Sequence, residues 1–154
     1  MHPPAAATVR AVGHDDLPDA VRLYQQLYPE LDLRVDEPVA AAWAARLATP
    51  GRTVLLAEAG GVVVGTADLT VLANAARAGR PYLLVDNVVV DSGARRTGVG
   101  RALLAAARAH GEAAGCYELQ LSADDPAAFA FYEAAGVAAA TRTYKQYLDD
   151  DGRS

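Results

Sequence analysis

The residues best suited to do chemistry in this chain lie in one stretch, Leu84 to Leu104. Its first half, Leu84-Val85-Asp86-Asn87-Val88-Val89-Val90, sets a carboxylate and an amide inside an otherwise apolar run. A carboxylate there costs free energy unless it finds partners or faces a cleft, and burial would raise its pKa and improve it as a proton acceptor. Asp86 is therefore a candidate base or substrate anchor, with a structural hydrogen-bonding role as the alternative. In a regular strand Asn87 would point to the other face, and a bulge would disturb that parity.

The second half, Asp91-Ser92-Gly93-Ala94-Arg95-Arg96-Thr97-Gly98-Val99-Gly100-Arg101, runs from that strand through a loop into the start of a helix. Gly98 and Gly100 can adopt backbone angles closed to other residues and leave no Cβ between amide and ligand. First-turn amides lack internal partners and, with the helix dipole, can hold an anion. Arg95 and Arg96 would add charge-assisted bonds to a phosphate, each worth roughly 1.5–3 kcal/mol when desolvated and much less at an exposed rim. The alternative is a helix start whose glycines serve close packing and whose arginines are solvated. The spacing is neither the nucleotide loop ending in Gly-Lys-Ser/Thr nor the dinucleotide Gly-x-Gly-x-x-Gly.

The elements that must hold these residues follow from periodicity. Thr8 to Ala11 reads as a short strand, and Asp15 or Asp16 can cap a helix carrying Leu17, Val21, Leu23, Tyr24 and Leu27. Pro38 opens a second helix with Val39, Trp43 and Leu47 at four-residue spacing. Thr53 to Ala59 and Val62 to Val71, joined by Gly60-Gly61, favour a hairpin. Tyr82 to Val90 is a continuously apolar strand, expected in a sheet interior covered on both faces. A helix from Gly98 to about Gly115 and a strand over Tyr117 to Ser122 come next. Asp125 as N-cap and Pro126 at the first position start a short helix over Ala127 to Ala135, and Val137 to Leu148 is expected to supply one or two closing strands. The order β-α-α-β-β-β-α-β-α-β describes one α/β (α+β) domain with a mixed, mostly antiparallel sheet flanked by helices on both faces.

Composition narrows the function. The chain of 154 residues carries 14 basic and 19 acidic residues, a net charge of −5, with the basic residues scattered apart from Arg95-Arg96. A nucleic-acid surface needs clustered positive charge, so none is expected, and one positive spot suits a small phosphorylated ligand. There is no 18-residue apolar run, so no membrane span is expected. The start, Met1-His2-Pro3-Pro4, does not read as a secretion signal, and one cysteine, Cys116, forms no disulfide framework, so a cytoplasmic location is the expectation. His2, His14 and His110 show no metal-ligand spacing, and no metal is expected.

With the element order, Arg95-Arg96-Thr97-Gly98-Val99-Gly100 resembles the GNAT acetyltransferase family, whose signature is Arg/Gln-x-x-Gly-x-Gly/Ala. The similarity covers residues 8–148 as one domain, with 1–7 and 149–154 expected as flexible tails. The resemblance implies acetyl-CoA as acyl-donor cosubstrate. It implies that the amides of Arg96, Thr97, Gly98, Val99, Gly100 and Arg101 wrap the pyrophosphate, with Arg95 at the signature's first position. It further implies that the backbone of Val88, Val89 and Val90 pairs with the pantetheine arm. Asp125-Pro126-Ala127-Ala128-Phe129-Ala130-Phe131-Tyr132-Glu133-Ala134-Ala135-Gly136-Val137 is similar to the family's Asn-x-x-Ala-x-x-x-Tyr-Glu-x-x-Gly-Phe, matching at Ala128, Tyr132, Glu133 and Gly136. Asp125 stands in place of the Asn that bonds near pantetheine and offers acceptors only, so its alternative role is to cap the helix. Val137 stands in place of Phe.

Acetyl transfer to an amine requires a fixed thioester, an unprotonated amine, a donor for the carbonyl oxygen and a proton for the leaving thiolate. The resemblance places Tyr132 near the sulfur as general acid, with simple packing as the alternative, and makes Asp86 the candidate base. Direct transfer within a ternary complex to the primary amine of a small molecule is the expected reaction, because Cys116 has no partner and makes an unpromising acyl carrier. Transfer to a peptide or protein amine, O-acetylation, and a non-catalytic acyl-CoA sensor are the alternatives. Tyr24, Tyr28 and Trp43 are candidates to line the acceptor side or to pack the first helices. Glu30, Asp32 and Asp36 are candidates to attract a cation, or a solvated turn. The Thr141-x-Thr143-Tyr144 segment is a candidate contact for a homodimer.

Overall fold

The two β-branched runs around Gly60-Gly61 form the expected hairpin, β2 (Arg52–Ala59) and β3 (Val62–Leu72). Both glycines take positive φ, 59° and 79°, as a tight hairpin turn between right-twisted strands requires. In the computed structural model, which describes residues 6–149, β1 (Thr8–Ala11) pairs antiparallel with β2, and β4 (Tyr82–Val90) pairs antiparallel with β3. The short β5 (Leu119–Leu121) lies parallel to β4, returned there by the helix α3 (Val99–Ala113). The sheet is thus five-stranded, in the order β1-β2-β3-β4-β5, and mixed as expected. Residues 1–5 and 150–154, parts of the expected tails, lie outside the described residues.

Side-chain alternation sends the two faces of the sheet to different helices. Val54, Leu56, Val63 and Val89 face α1 (Leu17–Leu27), which buries Leu17, Ala20, Val21 and Leu23, and α2 (Glu37–Ala48), which adds Trp43. Asp36 caps α2 by accepting from Val39 N–H at 3.1 Å. Leu55, Ala57, Ala67, Leu69, Leu83 and Val85 face the other way and pack on Val99, Leu103 and Ala107 of α3. Each large side chain so buried stabilises the fold by about 1.5–3 kcal/mol. Gly65 lets α3 approach: a Cβ there would lie 2.8 Å from Val99 Cγ1 and 3.2 Å from the Val89 carbonyl oxygen. The start of α3 is therefore seated directly on β3 and β4.

From Ser122 onward the chain forms a second unit. It begins with α4 (Pro126–Ala134), for which Asp125 is the N-cap, accepting from Ala127 N–H at 3.1 Å. Gly136, at φ 89°, ends the helix. The closing strands expected over Val137 to Leu148 are not formed among the described residues. Ala138-Ala139-Ala140 and the polar residues after it offer little apolar area to offset the entropy of ordering a strand. Tyr144, Tyr147 and Leu148 are exposed accordingly.

Candidate active site

The glycine-rich turn has the backbone of an anion cradle. Asp91 N–H donates to Val64 O at 2.8 Å, the last tie to β3, and the chain then makes a short 3-10 turn over Ser92–Ala94. Arg96 and Gly98 both take left-handed backbone angles, φ 64° and 89°, and Gly98 is the N-cap of α3. A Cβ on Gly98 would meet nothing within 4 Å, so the space beside it is open. Ala102 N–H to Gly98 O, at 3.0 Å, closes the first turn of α3. The amides of Val99, Gly100 and Arg101 are then the free donors that a helix start presents to an anion. Arg95 and Arg96 are exposed beside them, in no ion pair among the described residues.

One residue of α1 fastens this turn. Gln26 Nε2 donates to Asp91 Oδ1 at 3.2 Å, and Gln26 Oε1 accepts from Ser92 N–H at 3.1 Å. Arg22 reaches Val63 O at 2.7 Å and Asp91 Oδ2 at 3.5 Å. The Gln26 amide is the main reason that the Asp91 carboxyl lies below its ordinary pKa, against a smaller opposing effect of desolvation.

The strand leading into the turn has an unpaired edge. β5 pairs only with Leu83, Leu84 and Val85, so from Asp86 to Val90 β4 has a neighbour on its β3 side alone among the described residues. The β3–β4 register passes from Thr66↔Val89 to Asp68↔Asp86, so Asn87 and Val88 bulge opposite Ala67. Asn87 sits at φ 47°, a left-handed position that Asn tolerates better than most residues. Backbone donors and acceptors along such an edge need partners, which an extended ligand containing amides can supply.

On the α1–α2 face a pocket of about 210 Å³ is lined by Leu17, Val21, Tyr24, Val39, Ala42 and Trp43, with Arg46, Asp68 and Asn87 as its polar end. Asp68 is 2% exposed and fully engaged. Its Oδ1 accepts from the Tyr24 hydroxyl at 2.8 Å, and its Oδ2 from Asn87 Nδ2 at 2.8 Å and from Arg46 Nη1. Burial pushes the Asp68 carboxyl above the usual range; Asn87, Arg46 and Tyr24 pull the other way, and the charge of Asp86 adds to the rise. Burial, followed by the Asp68 charge, pushes the Tyr24 phenol well above its ordinary value. Asp86 lies directly across the strands from Asp68 and is itself exposed.

Of the aromatic residues proposed for the acceptor side, Tyr24 and Trp43 line the pocket, whereas Tyr28 is exposed outside it. Asp32 pairs with Arg34 at 2.6 Å and Asp36 is spent on the α2 cap, which favours a structured turn for that acidic segment. Asp68 and Arg46 were not singled out from the sequence. The signal for Asp68 was present in Gly65-Thr66-Ala67-Asp68-Leu69, a carboxylate in an apolar strand like Asp86.

In the second unit, Tyr132 is half-buried on α4, edge to face with Phe131 at 5.1 Å, and burial raises its phenol pKa. Asp125 spends one carboxylate oxygen on the helix cap. Cys116 is a free thiol whose pKa is likewise raised by burial.

A mixed sheet whose β4 edge is unpaired past Val85 among the described residues, and a turn that presents first-turn amides of α3, make up the scaffold of the site. The chain belongs to the acetyltransferase (GNAT) family, whose model matches residues 17–137. Its fold is similar to that of a protein of Agrobacterium tumefaciens str. C58 assigned as an acetyltransferase, at 36% identity and TM-score 0.87, covering 92% of this chain and 99% of that one. A Trypanosoma brucei acetyltransferase matches at 25% identity and TM-score 0.80, over 93% of this chain and 100% of the other. The aminoglycoside N-acetyltransferase AAC(6')-Iy in complex with CoA shares the fold at 21% identity and TM-score 0.77, over 93% and 95% of the two chains. No curated protein matches the sequence.

Proposed function

We propose that this protein transfers the acetyl group of acetyl-CoA to the primary amine of a small molecule by direct attack in a ternary complex. The observation that carries the reading is the left-handed turn at Arg96 and Gly98, open on its outer side, running into the free first-turn amides of α3 beside the unpaired edge of β4. That arrangement supplies donors for a diphosphate and a ladder for an arm containing amides. In this reading the amides from Arg96 to Arg101 and the Arg95 side chain hold the pyrophosphate, and Val88, Val89 and Val90 hold the arm. Asp125, acceptor-only and with Oδ1 engaged in its cap, has Oδ2 left to accept from a ligand N–H.

When bound, acetyl-CoA supplies the activated acyl group; the protein supplies position and proton management. An alkyl ammonium, with a pKa near ~10.4, is mostly unreactive at neutral pH, so a proton must be removed. Asp86 is exposed on the pocket face of β4, where it can take that proton directly or through water. Tyr132, a phenol with an ordinary pKa near ~10, carries its proton across the neutral range, as an acid for a leaving thiolate must, and burial shifts it further in that direction. The small-molecule acceptor is supported by the pocket lined by Asp68, the strand partner of Asp86, and by an aminoglycoside acetyltransferase of this fold solved in complex with sisomicin.

The test is release of free CoA from acetyl-CoA in the presence of a panel of primary amines, with Tyr132→Phe as comparison. The proposal expects acceptor-dependent release and a drop of about 10²-fold or more in kcat for Tyr132→Phe, the range of general acid catalysis. Tight CoA binding with no transfer to any amine would support a sensor instead.

A further inference from the structure

Two groups around the pocket have hydrogen-bonding capacity that the protein leaves unused. Trp43 is 6% exposed, yet its indole Nε1–H has no acceptor among the described residues. Leaving a buried donor unpaired costs about 1–3 kcal/mol, so such groups call for an explanation. Arg46 has Asp68 as its one partner among the described residues, through Nη1, while its guanidinium carries five N–H donors and its side chain is 22% exposed. Both residues line the same pocket, together with the apolar Leu17, Val21, Val39 and Ala42. Asp68 neutralises the charge of Arg46 but leaves the rest of its fork free for a second planar anion.

The chemistry of the occupant follows. A carboxylate satisfies the free part of the Arg46 fork. The amine to be acetylated must lie toward Asp86, whose strand position is directly opposite that of Asp68, the partner of Arg46. Arg46 and Asp86 both adjoin Asp68, one by side-chain contact and one by strand pairing, which puts a basic and an acidic group at the same end of the pocket. The remaining wall is aliphatic and aromatic. At about 210 Å³ the cavity is below the ~300–1,000 Å³ typical for drug-sized ligands, and Arg46 opposes a polycation.

We infer that the acceptor is an apolar α-amino acid, its side chain against Leu17, Val21, Val39 and Trp43, its carboxylate on Arg46, and its amine toward Asp86. Substrate selection by this pocket then reads the carboxylate as well as the amine. The assignment of the ligand as acceptor rests on the acetyl-transfer reading; recognition of the carboxylate does not.

Trp43 is the sole tryptophan of the chain, so its fluorescence reports on this pocket directly. Leucine and 3-methylbutylamine, which differ only in the carboxylate, are titrated against the full chain with and without CoA, and the same pair is then compared as acetyl acceptors. The expectation is a saturable fluorescence change with leucine, affinity at least 10-fold weaker for the amine, and a preference of the same sense in kcat/KM. Arg46→Gln should reduce the leucine-to-amine ratio at least fivefold, and Arg46→Lys, which keeps the charge and loses the fork, should fall between. Equal binding of the two ligands to the wild-type protein, or no fluorescence response to leucine, overturns the inference without recourse to any variant. Leucine binding without acetylation would instead overturn the acetyl-transfer reading and leave carboxylate recognition standing.

Discussion

Asp68 and Asp86 face each other across the β3–β4 register as directly paired residues on the same side of the sheet, one buried and one exposed. The buried member is held by Tyr24, Asn87 and Arg46, so its oxygens are committed. The exposed member retains a free carboxylate above a fixed network. Two carboxylates side by side therefore have different work, one organising the pocket and one available to a substrate.

Replacing the available one separates these tasks. Asp86→Asn is expected to lower kcat/KM for the amine about 10²-fold, within the range for losing a general base, while acetyl-CoA affinity stays within about twofold. Steady-state kinetics and a binding titration on the same variant check this. Unchanged turnover and unchanged amine KM would remove Asp86 from the proposed mechanism.

The organising carboxylate leaves a signature in stability against pH. Because the folded state raises the pKa of Asp68, the native protein binds this proton more tightly than the unfolded chain. Its contribution is therefore most favourable at low pH and is lost as pH rises from the ordinary carboxylate value through the raised one. Asp68→Asn should remove that downward slope. Denaturant melts of both proteins between about pH 4 and pH 7 measure it, and parallel curves would contradict the assignment.

Gln26 offers a test of how the turn is held. It makes two bonds to the Asp91-Ser92 start of the turn and stands two residues from Tyr24, which bonds Asp68. Gln26→Leu removes both bonds, each worth about 0.5–1.5 kcal/mol net, and should weaken acetyl-CoA binding about 5–10-fold. Calorimetric titration reads this effect. An unaltered Kd would show that α3 alone fixes the turn.

A separate ion pair provides an acid-stability prediction away from the site. Arg10 Nη1 and Nη2 each meet a carboxylate oxygen of Asp16 at 2.8 Å, and the Arg10 hydrogen bond lowers the Asp16 pKa to about 2. This stabilisation is present above the ordinary carboxylate pKa and is lost as pH falls through about 2. Since the Arg10 side chain is 44% exposed, solvent screening reduces the contribution to about 1 kcal/mol. Asp16→Asn should lose that amount at pH 7 and only a minor part of it near pH 2, as read by thermal melts at the two values.

The sequence reveals these features unevenly, for physical reasons. Gly98 after an apolar strand announces the turn because a left-handed helix start, here at φ 89°, favours glycine, while Gly100 lies within α3. The hairpin at Gly60-Gly61 and the cap at Asp125 are legible for the same local reasons. Asp68 shows only as a carboxylate in an apolar strand and Arg46 not at all, because their pairing is a contact between β3 and α2 that no spacing encodes. The Asn87 bulge is a property of strand pairing, and it turns the Asn87 amide onto Asp68 against the alternation of a regular strand. The closing strands over Val137 to Leu148 fail because their Thr and Tyr alternation is a local preference that needs a paired neighbour to be realised.

In the proposed reaction the turn from Arg95 to Arg101 grips the diphosphate of acetyl-CoA. Titrating acetyl-CoA into the full chain by calorimetry tests it most directly, with Arg95→Ala/Arg96→Ala as comparison. Saturable one-to-one binding is expected, competed by free CoA and weakened about 10-fold or more in the double variant, in keeping with two charge-assisted bonds. No heat with the wild-type protein, or identical affinity in the double variant with no competition by CoA, would contradict it.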